Sequence, residues 1–166
     1  MMKKTLLLLA LALSAVSCGI YSFTGTNIQS DVKTITIPFV ENKAMRVNPS
    51  LSNELTEALQ DKFRKLTSLE QVDMDGDLEL VCEITGYDVK AQAVTAGEFA
   101  AQTRLTITVK IDFSNRKYPE DDVSKSFSAY EDFDSGNSLD AVEAGLCTTI
   151  VDKLVEDIFN ATVAQW

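Results

Sequence analysis

The 166-residue chain contains no histidine at all. That removes the commonest general base near neutral pH and the commonest zinc ligand together. Glycine-rich phosphate loops and a serine in a strand-to-helix elbow are absent as well, which excludes the usual nucleotide-binding and hydrolase signatures. Basic side chains are few, 15 Lys and Arg against 25 Asp and Glu. A surface of that sign repels nucleic acid and anionic headgroups over most of its area. The leucine- and alanine-rich run from Leu6 to Leu13 is too short to cross a bilayer, which takes about 20 apolar residues. Only three cysteines are present, Cys18, Cys82 and Cys147.

The N-terminus carries what an exported chain needs. Lys3 and Lys4 precede the apolar run, and the small residues Ser14, Ala15 and Ser17 lead directly to Cys18. Leu13-Ser14-Ala15-Val16-Ser17-Cys18 resembles a lipobox, with Val at the second position before the cysteine. The expectation is a signal peptide over residues 1–17 and a lipid on Cys18, which becomes the first mature residue. Each buried CH₂ of an acyl chain contributes about 0.8 kcal/mol, so two or three chains anchor the protein stably. Cleavage takes Lys3 and Lys4 away and leaves thirteen basic against twenty-five acidic side chains, a formal charge of −12. The remaining 149 residues fit one domain: a lipidated tether over 18–31 and a single α+β domain over 32–166. Cys82 falls in phase with Leu78, Leu80 and Ile84 on one apolar strand face, so Cys82 and Cys147 read as buried free thiols rather than a disulfide.

Periodicity orders the domain as strand, helix, three strands, helix. Ile35, Ile37 and Phe39 alternate along a first strand, which Pro38 confines to an edge or ends. Asn48-Pro49 opens a helix whose stripe is Leu51, Leu55, Leu59, Phe63 and Leu66. Asp73-Met74-Asp75-Gly76-Asp77 reads as a turn and lacks the spacing of a calcium loop. Strands follow at Leu78–Ile84, Leu105–Phe113 and Val123–Phe133, the last two joined by a loop containing Pro119. The stretch from Asp88 to Phe99 has no period and is expected to prolong its flanking strands as a protruding hairpin. A closing helix from Leu139 to Val163 carries Val142, Leu146, Ile150, Leu154 and Ile158 or Phe159. The expected architecture is a two-layer α+β sandwich, two helices on one face of a four-stranded sheet in the order β-α-β-β-β-α.

No catalytic constellation emerges, and neither a metal nor a cofactor is expected. Among the scarce cations Arg104, Lys110, Arg116 and Lys117 fall on or just after one strand. Arg104 and Lys110 are the candidate ligand-binding residues, for phosphorylated or anionic glycolipid headgroups. Ordinary charge pairing with Glu79, Glu83 or Glu131 competes with that reading. Tyr21, Phe23, Phe159 and Trp166 are candidate partner anchors.

In order and spacing, several segments together resemble the LptE family of outer-membrane lipopolysaccharide-assembly lipoproteins. They are Cys18-Gly19-Ile20-Tyr21-Ser22-Phe23-Thr24-Gly25, Lys33-Thr34-Ile35-Thr36-Ile37, the run from Pro49 to Glu57, Arg104-Leu105-Thr106-Ile107-Thr108-Val109, and the close from Ile158 to Trp166. The resemblance implies two helices on a four-stranded sheet and no enzymatic activity. It also implies an outer-membrane location facing the periplasm and barrel lumen, with a large barrel of the LptD kind as one-to-one partner. In that family the lipoprotein plugs the barrel that inserts lipopolysaccharide into the outer leaflet, assists its assembly and contacts the lipopolysaccharide. The alternative expectation is a free periplasm-facing lipoprotein that carries a glycolipid on its sheet face.

Overall fold

The structure, a computed structural model, describes residues 26, 28–92 and 101–164. Cys18, Tyr21, Phe23 and Trp166, with the expected signal peptide and most of the tether, lie outside the described residues. The described chain forms β1 (Thr34–Thr36), β2 (Glu41–Asn42), α1 (Leu51–Leu66), β3 (Glu70–Gln71), β4 (Leu78–Ala91), β5 (Gln102–Asn115), β6 (Val123–Asp134) and α2 (Leu139–Thr162). A single 3-10 turn, Pro119–Asp121, links β5 to β6.

The class and the two-helix layer are as expected, but the sheet has six strands rather than four. Its order is β3-β1-β4-β5-β6, with β2 also on β4. Two causes account for the extra strands. The first strand ends at Thr36, short of Pro38, whose nitrogen cannot donate, and a separate short strand, β2, forms beyond the stretch expected as strand. β1 pairs with the start of β4 (Ile35 opposite Leu78), and β2 rejoins it further along (Asn42 opposite Ile84), both parallel. β3 is only Glu70 and Gln71, two polar residues with no alternation to announce them, lying parallel to the outer side of β1. Phe39, expected inward, is 60% exposed because the chain leaves the ladder between β1 and β2.

β4, β5 and β6 form an antiparallel meander of long strands. Leu80, Cys82, Ile84, Leu105, Ile107, Val109 and Ile111 line its inner face and are buried. Between Ile84 and Gly86 the β4–β5 register shifts, a bulge that leaves Thr85 over. The bulge moves the buried parity from even to odd, so Tyr87 becomes the next core residue on β4. The hairpin continues as expected to Ala91 opposite Thr103, closed by the Gln92 amide donating to the Gln102 carbonyl at 2.8 Å. Residues 93–100 at its tip lie outside the described residues.

Both helices close the same inner face. Leu51, Leu55, Leu59 and Phe63 of α1 are fully buried, whereas Leu66, at its last residue, is 44% exposed. The helix begins two residues later than Asn48-Pro49 suggests. The Asn48 carboxamide oxygen accepts from the Ser50 amide at 3.0 Å and from its hydroxyl at 2.8 Å, making a turn that leads into the helix. On α2, burial concentrates in the C-terminal half at Ile150, Val151, Leu154, Val155, Ile158 and Phe159. Leu139, Val142 and Leu146 are only half-buried. The helices meet through Phe63 and Phe159, ring centroids 5.2 Å apart and edge to face.

Cys82 and Cys147 are buried free thiols. Burial pushes the Cys82 thiol up to about 12. Burial also raises the Cys147 thiol, whose sulfur accepts from the Asn48 amide nitrogen at 3.8 Å. The buried Tyr87 hydroxyl donates to the Glu143 carboxylate beside it.

The Asp73–Asp77 segment ties β1 to the start of β4. The Asp77 carboxylate accepts from the Lys33 amide at 2.7 Å and the Thr34 amide at 3.3 Å, and pairs with the Lys117 ammonium at 3.0 Å. These donors, the Lys33 amide first, lower its pKa from 3.8 to about 2. A depressed carboxylate binds fewer protons folded than unfolded. Its stabilisation is therefore complete above pH 3.8 and lost as pH falls towards 2. With solvent screening, the contribution is about 1–2 kcal/mol. Asp77→Asn is expected to flatten that acid limb, so its melting temperature should fall less between those pH values than that of the unsubstituted protein. Parallel melting curves at both ends of the window would refute the assignment.

Candidate functional site

Among the described residues the sheet has one face covered by the helices and one bare face, and the bare face carries Arg104 and Lys110. Its rungs run across β4, β5 and β6: Lys90–Arg104–Asp132, Asp88–Thr106–Tyr130, Gly86–Thr108–Ser128, Glu83–Lys110–Ser126 and Val81–Asp112–Ser124. Alternation makes this face polar, because every second residue of each strand is committed to the core. Thr108 and Ser128 share a hydrogen bond at 2.8 Å, and the Ser124 hydroxyl donates to Asp112 at 2.5 Å. A surface of hydroxyls and paired charges can accept sugars and phosphates. Among the described residues no three Cys, Asp or Glu come together as a metal site.

Arg104 is already engaged. Its guanidinium forks onto Asp132 through Nε–Oδ1 at 2.7 Å and Nη2–Oδ2 at 2.8 Å, and stacks 3.6 Å from the centre of the Tyr130 ring. The pairing raises the Arg104 pKa and lowers that of Asp132. The fork matches a carboxylate, and a phosphate offers the same geometry. Lys110 is nearly half exposed and holds Asp112, two residues along its own strand, at 2.8 Å. That hydrogen bond is the main cause of its raised pKa and of the lowered one at Asp112.

The four cations do not form one patch. Arg104 and Lys110 share the bare face, but six residues of strand place them about 20 Å apart. Arg116 and Lys117 lie at the other end of β5, where Arg116 meets Asp75 at 2.9 Å and Lys117 meets Asp77. The carboxylates that hold Arg104 and Lys110, Asp132 and Asp112, are not the Glu79, Glu83 or Glu131 that charge pairing suggested. Glu83 pairs with Lys43 and Glu131 with Lys153, while Glu79 lies 4.0 Å from Arg116. Sequence reading missed Tyr130 as the platform under Arg104. Its place in the serine series of β6 was the available signal, since an aromatic two residues from Asp132 shares its face. Phe159, considered as a partner anchor, is a core residue.

Residues 32–162 match the family model LptE, described as lipopolysaccharide-assembly. No curated protein matches the chain. Among solved structures, a hypothetical protein from Chlamydia trachomatis superposes with a TM-score of 0.53 at 7% identity, over 80% of this chain and 99% of that one. A Helicobacter pylori protein described as a homolog of a neuraminyllactose-binding hemagglutinin gives 0.52 at 12% identity, over 83% and 87%. A minor lipoprotein from Acinetobacter baumannii gives 0.49 at 15%, over 76% and 89%. At such identities the first two likenesses speak for the fold alone. No helix among the described residues is long and apolar enough to cross a membrane.

Proposed function

The chain belongs to the LptE family of lipopolysaccharide-assembly proteins, and on that premise we propose that it is a non-enzymatic outer-membrane lipoprotein that plugs an LptD-type barrel and assists its assembly. The observation that carries this reading is the family match across nearly the whole domain. The surface supports it. A plug in a water-filled lumen needs a largely polar exterior around its own core, and the bare face of β4–β6 carries mostly hydroxyls and charged groups, beside the exposed Val81 and Tyr130, while α1 and α2 pack on the apolar face. A lipid on Cys18 would hold this domain at the periplasmic leaflet, from which the tether lets it reach one barrel. Arg104 and Lys110 are the positions at which a lipopolysaccharide phosphate would displace a carboxylate already in place.

A carrier that held acyl chains between the helices and the sheet, rather than on the sheet face, would need room there. The space between helices and sheet is filled by side chains with no exposure, among them Ile35, Leu55, Phe63, Leu80, Ile107 and Ile150. The cavity at its lower end, between Ile28, Leu78, Phe113 and Val163, measures about 30 Å³ and suits a single water.

Tagged protein extracted from its own membranes in mild detergent is expected to bring down one large outer-membrane barrel in near-equal amount. Cys18→Ala is expected to lower that yield by reducing the protein's concentration at the membrane. Lipidated, folded protein that retains no barrel would sink the plug reading and leave the carrier.

A further inference from the structure

β6 ends the sheet, and among the described residues no strand pairs with its far side. One contact fixes which backbone groups lie there. The Lys153 ammonium of α2 donates to the Tyr130 carbonyl at 3.0 Å, so that carbonyl points away from β5. In an extended strand the N–H and C=O of one residue lie on one side, and alternate residues repeat the arrangement. Ser124, Ser126, Ser128, Tyr130 and Asp132 therefore present their backbone groups outward. The Gln92 amide donating to Gln102 agrees, since it assigns even residues of β5 to β4 and leaves odd ones for β6. The edge is twelve residues long and unbroken in register. It contains no proline, and proteins rarely leave such an edge uncovered without a use for it.

A groove runs beside this edge. Ser128, Ala129 and Tyr130 form one wall, and Asp152, Lys153, Glu156 and Asp157 of α2 form the other, around about 590 Å³. Lys153 is paired with Glu131 and Glu156 with Lys62. Asp152 and Asp157 have no cation within ion-pairing distance among the described residues. A strand added to β6 would send alternate side chains into this groove, where lysine or arginine would meet those two carboxylates. The Lys153 ammonium already stands where the N–H of such a strand would donate.

We propose that the outer edge of β6, with the acidic wall of α2 beside it, docks an extended segment of a partner protein carrying basic side chains at alternate positions, added as a further strand. The proposal does not rest on the barrel reading, because docking at this edge and retention of a barrel are measured separately. The probe is a peptide of the length of β6 that alternates lysine with valine, titrated into the full chain in non-ionic detergent. Hydrogen exchange is read by mass spectrometry. Residues 123–134 are expected to exchange about tenfold more slowly with this peptide, and unchanged with its glutamate–valine counterpart. Ser126→Pro removes an outward N–H that no neighbour uses among the described residues and is expected to abolish the protection. Asp152→Lys combined with Asp157→Lys, both on exposed helix surface, is expected to reverse the preference towards the glutamate peptide. Absence of protection, protection elsewhere, or a preference indifferent to the charge reversal would overturn the proposal. So would a doubled mass with residues 123–134 protected before peptide is added, which would make this edge an interface between two copies of the chain.

Discussion

Phe63→Ala is expected to lower the stability of the domain by about 3–5 kcal/mol, enough to depress its melting temperature by roughly 10–20 °C. The ring has no exposed surface, belongs to the core cluster shared by both helices and the sheet, and meets Phe159 of α2 edge to face. Truncation removes its transfer free energy and leaves a cavity that three packed elements cannot close. It also removes the edge-to-face contact with Phe159, which adds about 1 kcal/mol beyond area. The Phe159 ring carries the Lys62 ammonium 5.6 Å from its centre on another side, so its repositioning disturbs the surface pair between Lys62 and Glu156 as well. Phe63→Leu keeps most of the volume and is expected to cost about half as much. Thermal denaturation followed by circular dichroism measures both. A Phe63→Ala protein melting within a few degrees of the original would show that the helix pair is not held by this contact.

The same residue marks how far the sequence was legible. Wherever one apolar stripe met one core, periodicity was sufficient: Leu51 to Phe63 on α1, Leu105 to Phe113 on β5 and Ile150 to Phe159 on α2 are all buried as their spacing requires. It failed where the backbone breaks its own period. The bulge at Thr85 exchanges the parity of β4, so Tyr87 and Val89 follow Ile84 at an odd interval and the strand loses its signature while remaining paired. The first strand ended before Pro38, a new short strand formed at Glu41 and Asn42, and Phe39 went to solvent between them. Glu70 and Gln71 became a strand through tertiary pairing with β1 alone, a cause that no local pattern records. The candidate site was legible only as a list of cations. Which carboxylate held each one depended on register: Arg104 lies opposite Asp132 because β5 and β6 pair as they do, and a shift of one residue would have put Glu131 on the wrong face.

Gly76→Ala is expected to destabilise the domain by about 3 kcal/mol, from one added methyl group. A Cβ at this position would lie 2.7 Å from the Leu78 carbonyl oxygen, 2.7 Å from the Thr36 nitrogen and 2.9 Å from the Ile35 carbonyl carbon. All three are backbone atoms, so no side chain can swing aside, and the turn must separate from β1. The links lost on separation lie within a few residues. The Gly76 amide donates to the Thr36 hydroxyl at 3.0 Å, the Asp77 amide to the Thr34 hydroxyl at 2.8 Å, and Asp77 receives the Lys33 and Thr34 amides. Asp75, one residue earlier, supplies the control. It holds a φ of 59°, in the left-handed region, so Asp75→Gly relieves strain there and is expected to cost little despite the loss of the Arg116 pair. If close approach rather than turn flexibility governs this segment, urea midpoints should fall sharply for Gly76→Ala and barely move for Asp75→Gly. Equal losses at both positions would mean that the turn tolerates no change of any kind. An unmoved midpoint for Gly76→Ala would mean that β1 is not held against the start of β4 as closely as the structure places it.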